Sequence, residues 1–341
     1  MFASNYAPPA GFDFKAAHVA AQWPCEKPLI CCRIDPKVET VLVGGEWATP
    51  ERVKIADGKR TKLEGGHDSW ILDAAWTADA TRCVTAGGDG RLVWWDVTSE
   101  KPAILHRIDA HNGWIRALSV SPDGKTLASG GNDGLVKLWN LADAKPLISI
   151  EASKRNIYRI TFSPDGKLIA SGDLIGAVAA WNVADGKESA RYEGKPLHEF
   201  NGGQQVDFGG VRALAYTADG KRLAAGGLHK GTNPLGAVHE PLGLVFETDT
   251  KKMIRQWTGN NIPGGVFWSF RWLADGTMMA ASGGSSGGLL LFHSMDAEKE
   301  VHRLALPNIL RDMDLGTDGL TVATAHHDRH VRITRLAAKK S

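Results

Sequence analysis

Apolar and polar residues alternate along most of the chain in short runs, and each run is closed by a tight-turn signal. Alternation with a period of two marks strands buried on one face, and Asp-Gly accepts the positive φ of a tight hairpin. From Gly66 the segment GHDSWILDAAWTADATRCVTAGGDGRLVWWDV holds three such runs. AHNGWIRALSVSPDGKTLASGGNDGLVKLWNL from Ala110 and ASKRNIYRITFSPDGKLIASGDLIGAVAAWNV from Ala152 repeat it. Fainter copies are anchored by Thr217-Ala218-Asp219-Gly220, Leu273-Ala274-Asp275-Gly276 and Gly316-Thr317-Asp318-Gly319, with Asp35-Pro36-Lys37 in the same place early on. This gives seven units, whose first strands begin near Leu29, Ile71, Ile115, Ile157, Val211, Phe267 and Leu310. Most starts lie about 43 residues apart, a period that fits four-stranded blades. Two insertions, Gly194–Gly209 and Leu228–Leu242, stretch the exceptions.

The second unit carries Gly66-His67 and Trp95-Asp96, and the third Ala110-His111 and Trp139-Asn140. With these motifs the sequence resembles the WD-repeat family over almost its whole length. The resemblance implies one all-β domain over 1–341, a seven-bladed WD-repeat β-propeller. It also implies a bracing set in each blade: His67, Thr85, Asp89 and Trp95, then His111, Ser129, Asp133 and Trp139. A buried indole N–H and imidazole each need a partner, which such a set supplies. The fourth unit keeps Ser171 and Trp181 but has Ile175 in the Asp place. The seventh keeps Thr324 and Asp328 with Thr334 for Trp, and units five and six have Phe246 and Phe292. These His, Ser and Asp residues do not read as a hydrolase triad, because the serine lies within a strand and not on an exposed elbow.

In this family the outermost strand of each blade follows as the start of the next unit. The last unit ends with His330–Leu336 and has no outer strand of its own. The segment Phe12–Val19 is spare. The expectation is a propeller closed by an N-terminal strand in the last blade, with 1–11 a flexible extension and 12–22 the closing segment. Closure removes exposed sheet edges.

Composition adds mainly exclusions. Forty Lys and Arg face 38 Asp and Glu, so the basic footprint of a nucleic-acid partner is missing. Thirty-nine glycines against 15 prolines fit many tight turns. Cys25, Cys31, Cys32 and Cys83 form no CxxC or zinc-finger spacing and read as small buried thiols. The N-terminus has no basic start followed by an apolar core, and no apolar stretch is long enough to span a bilayer. The expectation is a cytoplasmic protein without a membrane partner. No Walker A, GxSxG, HExxH or dinucleotide loop occurs; Asp123-Gly124-Lys125-Thr126 lacks the upstream glycine spacing, and Gly283–Gly288 reads as a turn. No catalytic residue, cofactor or metal is expected, and the chain reads as a non-enzyme.

Within the family, the loops that enter the innermost strand and those joining the second and third strands open on one face, the top. One position read through all units gives Ile30, Leu72, Arg116, Tyr158, Arg212, Trp268 and Arg311. Two residues earlier stand Pro28, Trp70, Trp114, Asn156, Gly210, Val266 and Ile309. The core is served by Trp76, Trp95, Trp139, Trp181 and Trp272, so the other tryptophans need a different explanation. Trp, Tyr and Arg combine large area with a polar handle and dominate interface hot spots. Trp70, Leu72, Trp114, Arg116, Tyr158, Arg212, Trp268 and Arg311 therefore form the candidate partner-binding set, its three arginines facing a carboxylate or backbone carbonyls. Both insertions are expected as long loops on the same face over blade five. Their His198, Glu199, His229, His239 and Glu240 match no chelate spacing, and His326 and His327 are expected to flank Asp328. The leading reading is a scaffold for a protein or peptide partner, alone or as a subunit of a hetero-complex. The alternative is an enzyme or small-ligand binder using the central channel beneath the blade-five loops. Acids and histidines converging on the axis favour the alternative; a hydrophobic and basic mouth favours the scaffold.

Overall fold

Each alternating run becomes a strand, and the Asp-Gly signals become the turns between them. Ser121 Oγ donates to Asp123 (2.5 Å), Ser163 Oγ to Asp165 (2.6 Å) and Thr217 Oγ1 to Asp219 (2.7 Å). The next residues, Gly124, Gly166 and Gly220, adopt φ of 70°, 71° and 71°, where a Cβ is disfavoured. The chain is seen in a computed structural model that describes residues 7–233, 238–285 and 287–339. Residues 1–6 of the expected extension, residues 234–237 of the second insertion and position 286 of the glycine-rich turn lie outside the described residues.

The strands form seven four-stranded antiparallel sheets, the blades of a propeller, and no α-helix occurs among the described residues. The innermost strands are Leu29–Ile34, Ile71–Trp76, Ile115–Val120, Ile157–Phe162, Ala213–Tyr216, Val266–Trp272 and Leu310–Leu315. Each inner strand packs on the next around the ring, and Leu29–Ile34 packs on Leu310–Leu315. The buried clusters lie between blades. Trp94 and Val84 of blade two meet Ile115 and Leu127 of blade three. Ala323, Val331 and Ile333 of blade seven meet Leu29, Val41 and Val53 of blade one. All four cysteines are buried and free.

Blade seven draws on both ends of the chain. His18–Pro24 pairs antiparallel with His330–Arg335, from His18 with Arg335 to Pro24 with His330, the register shifting by one residue between Val19 and Ala21. The strand thus begins six residues later than the spare segment that starts at Phe12. Phe14–Ala16 is instead a short 3-10 turn capped by Asp13, whose carboxylate accepts from the Lys15 N–H at 2.8 Å. Phe14 stacks on Phe292 with centroids 4.9 Å apart, so this stretch fills the gap between blades six and seven.

The bracing residues are joined in blades two and three. His67 Nδ1 donates to Asp89 (3.2 Å), and Thr85 Oγ1 donates to His67 Nε2 (2.8 Å) while accepting from Trp95 Nε1 (2.9 Å). A carboxylate only accepts, which fixes this tautomer. His111, Asp133, Ser129 and Trp139 repeat the chain at 2.9, 2.7 and 2.9 Å. Blade four keeps Trp181 on Ser171 (2.9 Å), and Ser153 Oγ on Asp173 (2.6 Å) replaces the missing histidine and aspartate. In blade seven, where Thr334 stands in the Trp place, it is Asp328 that gains a partner: Arg332 makes two bonds to it, at 3.0 and 2.6 Å. His326 does not flank Asp328 at the surface; it is fully buried and shares a 2.9 Å bond with Thr324.

Candidate functional site at the channel mouth

The mouth residues owe their direction to a backbone irregularity that recurs around the ring. Pairing of the first two strands skips one residue in six blades: Ile30, Leu72, Arg116, Tyr158, Trp268 and Arg311. An unpaired bulge residue turns its side chain out of the alternation. In blade five Arg212 N–H donates to Gly226 O (2.7 Å), while Ala213 is the ladder partner of Gly226, the same two-against-one count. Backbone N–H groups of Glu46, Gly88, Asn132, Leu174 and His327 donate to the carbonyls of Pro28, Trp70, Trp114, Asn156 and Ile309 at 2.8–3.1 Å. Entering loops and second-to-third turns are thereby tied together on one face.

Six of the eight candidates form a continuous arc across blades two to six. Trp70 and Trp114 lie 5.8 Å apart between centroids. The Arg116 guanidinium stacks 4.9 Å from Trp114 and 4.6 Å from Tyr158. Arg212 stacks 3.9 Å from Tyr158 and 5.7 Å from Trp268. Arg116 Nε donates to Asn132 Oδ1 (2.7 Å) and Arg212 Nε to Gly209 O (3.1 Å). Burial holds both guanidinium pKa values below the ordinary arginine value, with the Tyr158 ring opposing. The other two candidates stand apart. Leu72 is almost wholly buried, and Arg311 faces Glu46 at 3.7 Å, so the three arginines are not one equivalent set.

Below the mouth lies a floor that the sequence reading missed. Arg33 of blade one bonds Asp73 of blade two at 2.5 Å and also bonds Asp312 of blade seven. Arg159 of blade four lies 3.7 Å from Asp73 and 3.6 Å from Asp312. Its Nε donates to the carbonyl of Arg212 and its Nη2, the nitrogen nearest Asp312, to that of Trp268, both at 3.0 Å, so the floor also fixes the mouth backbone. Arg271 and Asp314 extend the set at 2.9 Å. Burial raises Asp312, but Arg33, Arg159 and Arg271 outweigh it and hold the carboxyl below its ordinary value. At Asp73 burial wins and the pKa is raised despite Arg33 and Arg159. A signal existed: the inward position after each bulge reads Cys31, Asp73, Ala117, Arg159, Ala213, Ser269 and Asp312.

The insertions are hairpins and not the open loops expected. His198–Asn201 pairs with Val206–Gly209, and the second and third strands of blade five run on to Asn233 and from Val238. The two hairpins pack together: a Cβ at Gly231 would fall 1.8 Å from the Phe208 ring, and Lys230 N–H donates to Glu199 (3.2 Å). Phe200 and Val206 are exposed on the first hairpin. His198 bonds Asp207 (2.8 Å), His239 the carbonyl of Gly265 (3.1 Å), and His229 lies 3.7 Å from Glu240. Among the described residues these side chains face separate groups, His229 Nε2 is left unbonded, and no group of three or more potential metal ligands converges. No described helix is long and apolar enough to cross a membrane.

Sequence comparison adds a relation to this geometry. The model of the WD domain, G-beta repeat, matches residues 58–96, 103–140 and 144–175, on blades two, three and four. The small ribosomal subunit protein RACK1y of Oryza sativa subsp. japonica is 34% identical over 83 residues, 24% of this chain and 24% of that relative. The match spans about a quarter of the relative's length.

Proposed function

The chain is a WD40-repeat β-propeller, and from that premise we propose that it is a non-catalytic platform whose top face holds a protein or peptide partner. The carrying observation is the arc from Trp70 to Trp268, in which aromatic and guanidinium groups stack without a break across five neighbouring blades. Trp70 and Trp114 remain 41% and 36% exposed, a large apolar outlay on a surface otherwise closed by turns. Ordered, stacked side chains lose little entropy on binding, which favours them as anchors. The paired hairpins beside Arg212 enlarge the same face.

The axis speaks against the small-ligand alternative. Its carboxylates, Asp73, Asp312 and Asp314, are paired with Arg33, Arg159 and Arg271, and none faces a histidine. A relative that bears the name of a ribosomal subunit protein supports a place within an assembly. Four buried thiols without a disulfide fit a cytoplasmic setting.

The test is affinity purification from source cells with the intact chain and with a variant combining Trp70→Ala, Trp114→Ala and Arg116→Ala. Partners enriched by the intact chain should be lost from the variant while its melting temperature stays within a few degrees. Retention of every partner would rule out the mouth as the binding surface.

A further inference from the structure

The guanidinium groups of the inner strands fall into two kinds. Arg33, Arg159, Arg271 and Arg311 each face a carboxylate, within the floor or at Glu46. Arg116 and Arg212 do not. Their fixed contacts are neutral, an asparagine side-chain oxygen and a backbone carbonyl, and among the described residues the only charged or titratable neighbours acting on them are Tyr158 and, at Arg212, Arg116 itself. Two like charges are thus held against one tyrosine ring, at 4.6 and 3.9 Å, without a countercharge among the described residues. A third donor joins them: the Trp268 indole N–H is buried and has no hydrogen-bond partner among the described residues.

Such an arrangement is costly in the free protein. Desolvated cations and an unbonded N–H are stabilised when an anionic acceptor arrives, and stacking has already fixed the guanidinium planes. We propose that this part of the mouth is a receptor for an acidic peptide segment. An Asp or Glu side chain is taken by Arg116 and Arg212, and an adjacent aromatic or aliphatic side chain lies on Trp70 and Trp114. The charge complementarity selects the carboxylate. The exposed indoles next to Arg116 select the apolar neighbour, since Trp114 touches both Trp70 and the guanidinium. This inference rests on the reading of the top face as a binding surface and specifies what that surface recognises.

A random peptide library displayed on phage, selected on the intact full-length chain, tests it. Selected peptides should be enriched in Asp or Glu beside an aromatic or large aliphatic residue. Resynthesis with Asn or Gln in place of the acid should weaken binding, read by fluorescence anisotropy, by about tenfold or more. On Arg116→Gln the acid and its amide should bind alike, and Arg116→Lys should recover only part of the preference because the planar fork is lost. Superimposable thermal melts keep the variants comparable. If selected peptides depend on Trp70 and Trp114 yet show no acid preference, the charge inference falls and the top-face reading stands. If selected peptides bind Trp70→Ala, Trp114→Ala and Arg116→Gln as well as the intact chain, or if none is selected, both fall.

Discussion

Floor and mouth are built from the same residue type on the same strands, yet they are opposites. Arg159 follows directly after Tyr158, so the two levels are one residue apart in blade four. At the floor every guanidinium is answered by a carboxylate from another blade: Arg33 by Asp73 and Asp312, Arg271 by Asp314. At the mouth Arg116 and Arg212 are answered, among the described residues, only by rings and neutral oxygens. Burying a charge is unfavourable unless a partner offsets the lost hydration. The floor meets that condition within the chain and works as structure. The mouth leaves it open, which is the mark of a surface made for something else.

The largest disruption of this contrast comes from the seam. Asp312 of blade seven and Arg33 of blade one stand on either side of it, and His18–Pro24 completes blade seven. Deleting residues 1–24 should cause the greatest fall in melting temperature of any change considered, because it bares the His330–Arg335 edge and opens the packing of blade seven on blade one. A truncated chain that melts like the full one would show that the floor does not need the closing strand. Next comes Asp312→Ala, which leaves two buried guanidinium groups, Arg33 and Arg159, to share Asp73 alone and should cost about 3–5 kcal/mol in denaturant unfolding.

A smaller, pH-dependent effect sharpens the contrast with a group that has neither partner nor solvent. His293 is buried between Trp257 and Phe267, at centroid distances of 5.4 and 5.5 Å, with both ring nitrogens unbonded among the described residues. Burial pushes its pKa down to about 3. An unfolded histidine titrates near 6.5, so between these values the unfolded chain binds a proton that the folded chain refuses. Stability should therefore fall as pH drops through this window, by at most about 1.4 kcal/mol per unit from this residue. His293→Phe should remove that share of the slope; an unchanged slope would place the acid sensitivity elsewhere. The smallest effect belongs to Arg116→Gln. With no carboxylate to strand, it should shift unfolding by less than about 1 kcal/mol, against the several expected for Asp312→Ala.

Legibility followed the range of the physics involved. The three clearest repeats, the Asp-Gly turns and the first residues of five inner strands, Leu29, Ile71, Ile115, Ile157 and Leu310, could be read directly because alternation and turn chemistry are local. The mouth position could be aligned through the repeats, but not the bulge that aims it, since a bulge exists only relative to a neighbouring strand. Arg33 and Asp312 are 279 positions apart, and nothing in either local pattern joins them. The insertions read as loops because Gly, Pro and Asn break their alternation; the backbone ladder from Leu228 with Pro241 onwards overrides that composition. In blade seven the absence of the indole was legible at Thr334, but the bracing of Asp328 by Arg332 was not, since only the fold of the turn before His330 brings the two side chains together.

By itself the sequence determined how many blades there are, where each begins, and that Trp and Arg gather at the start of the inner strands. Those features depend on spacing within one repeat. The tertiary structure alone decided which arginines are neutralised, where the channel is floored, and that Arg311 parts company with Arg116 and Arg212. Charge compensation is a property of neighbours across blades, and only closing the ring assigns those neighbours.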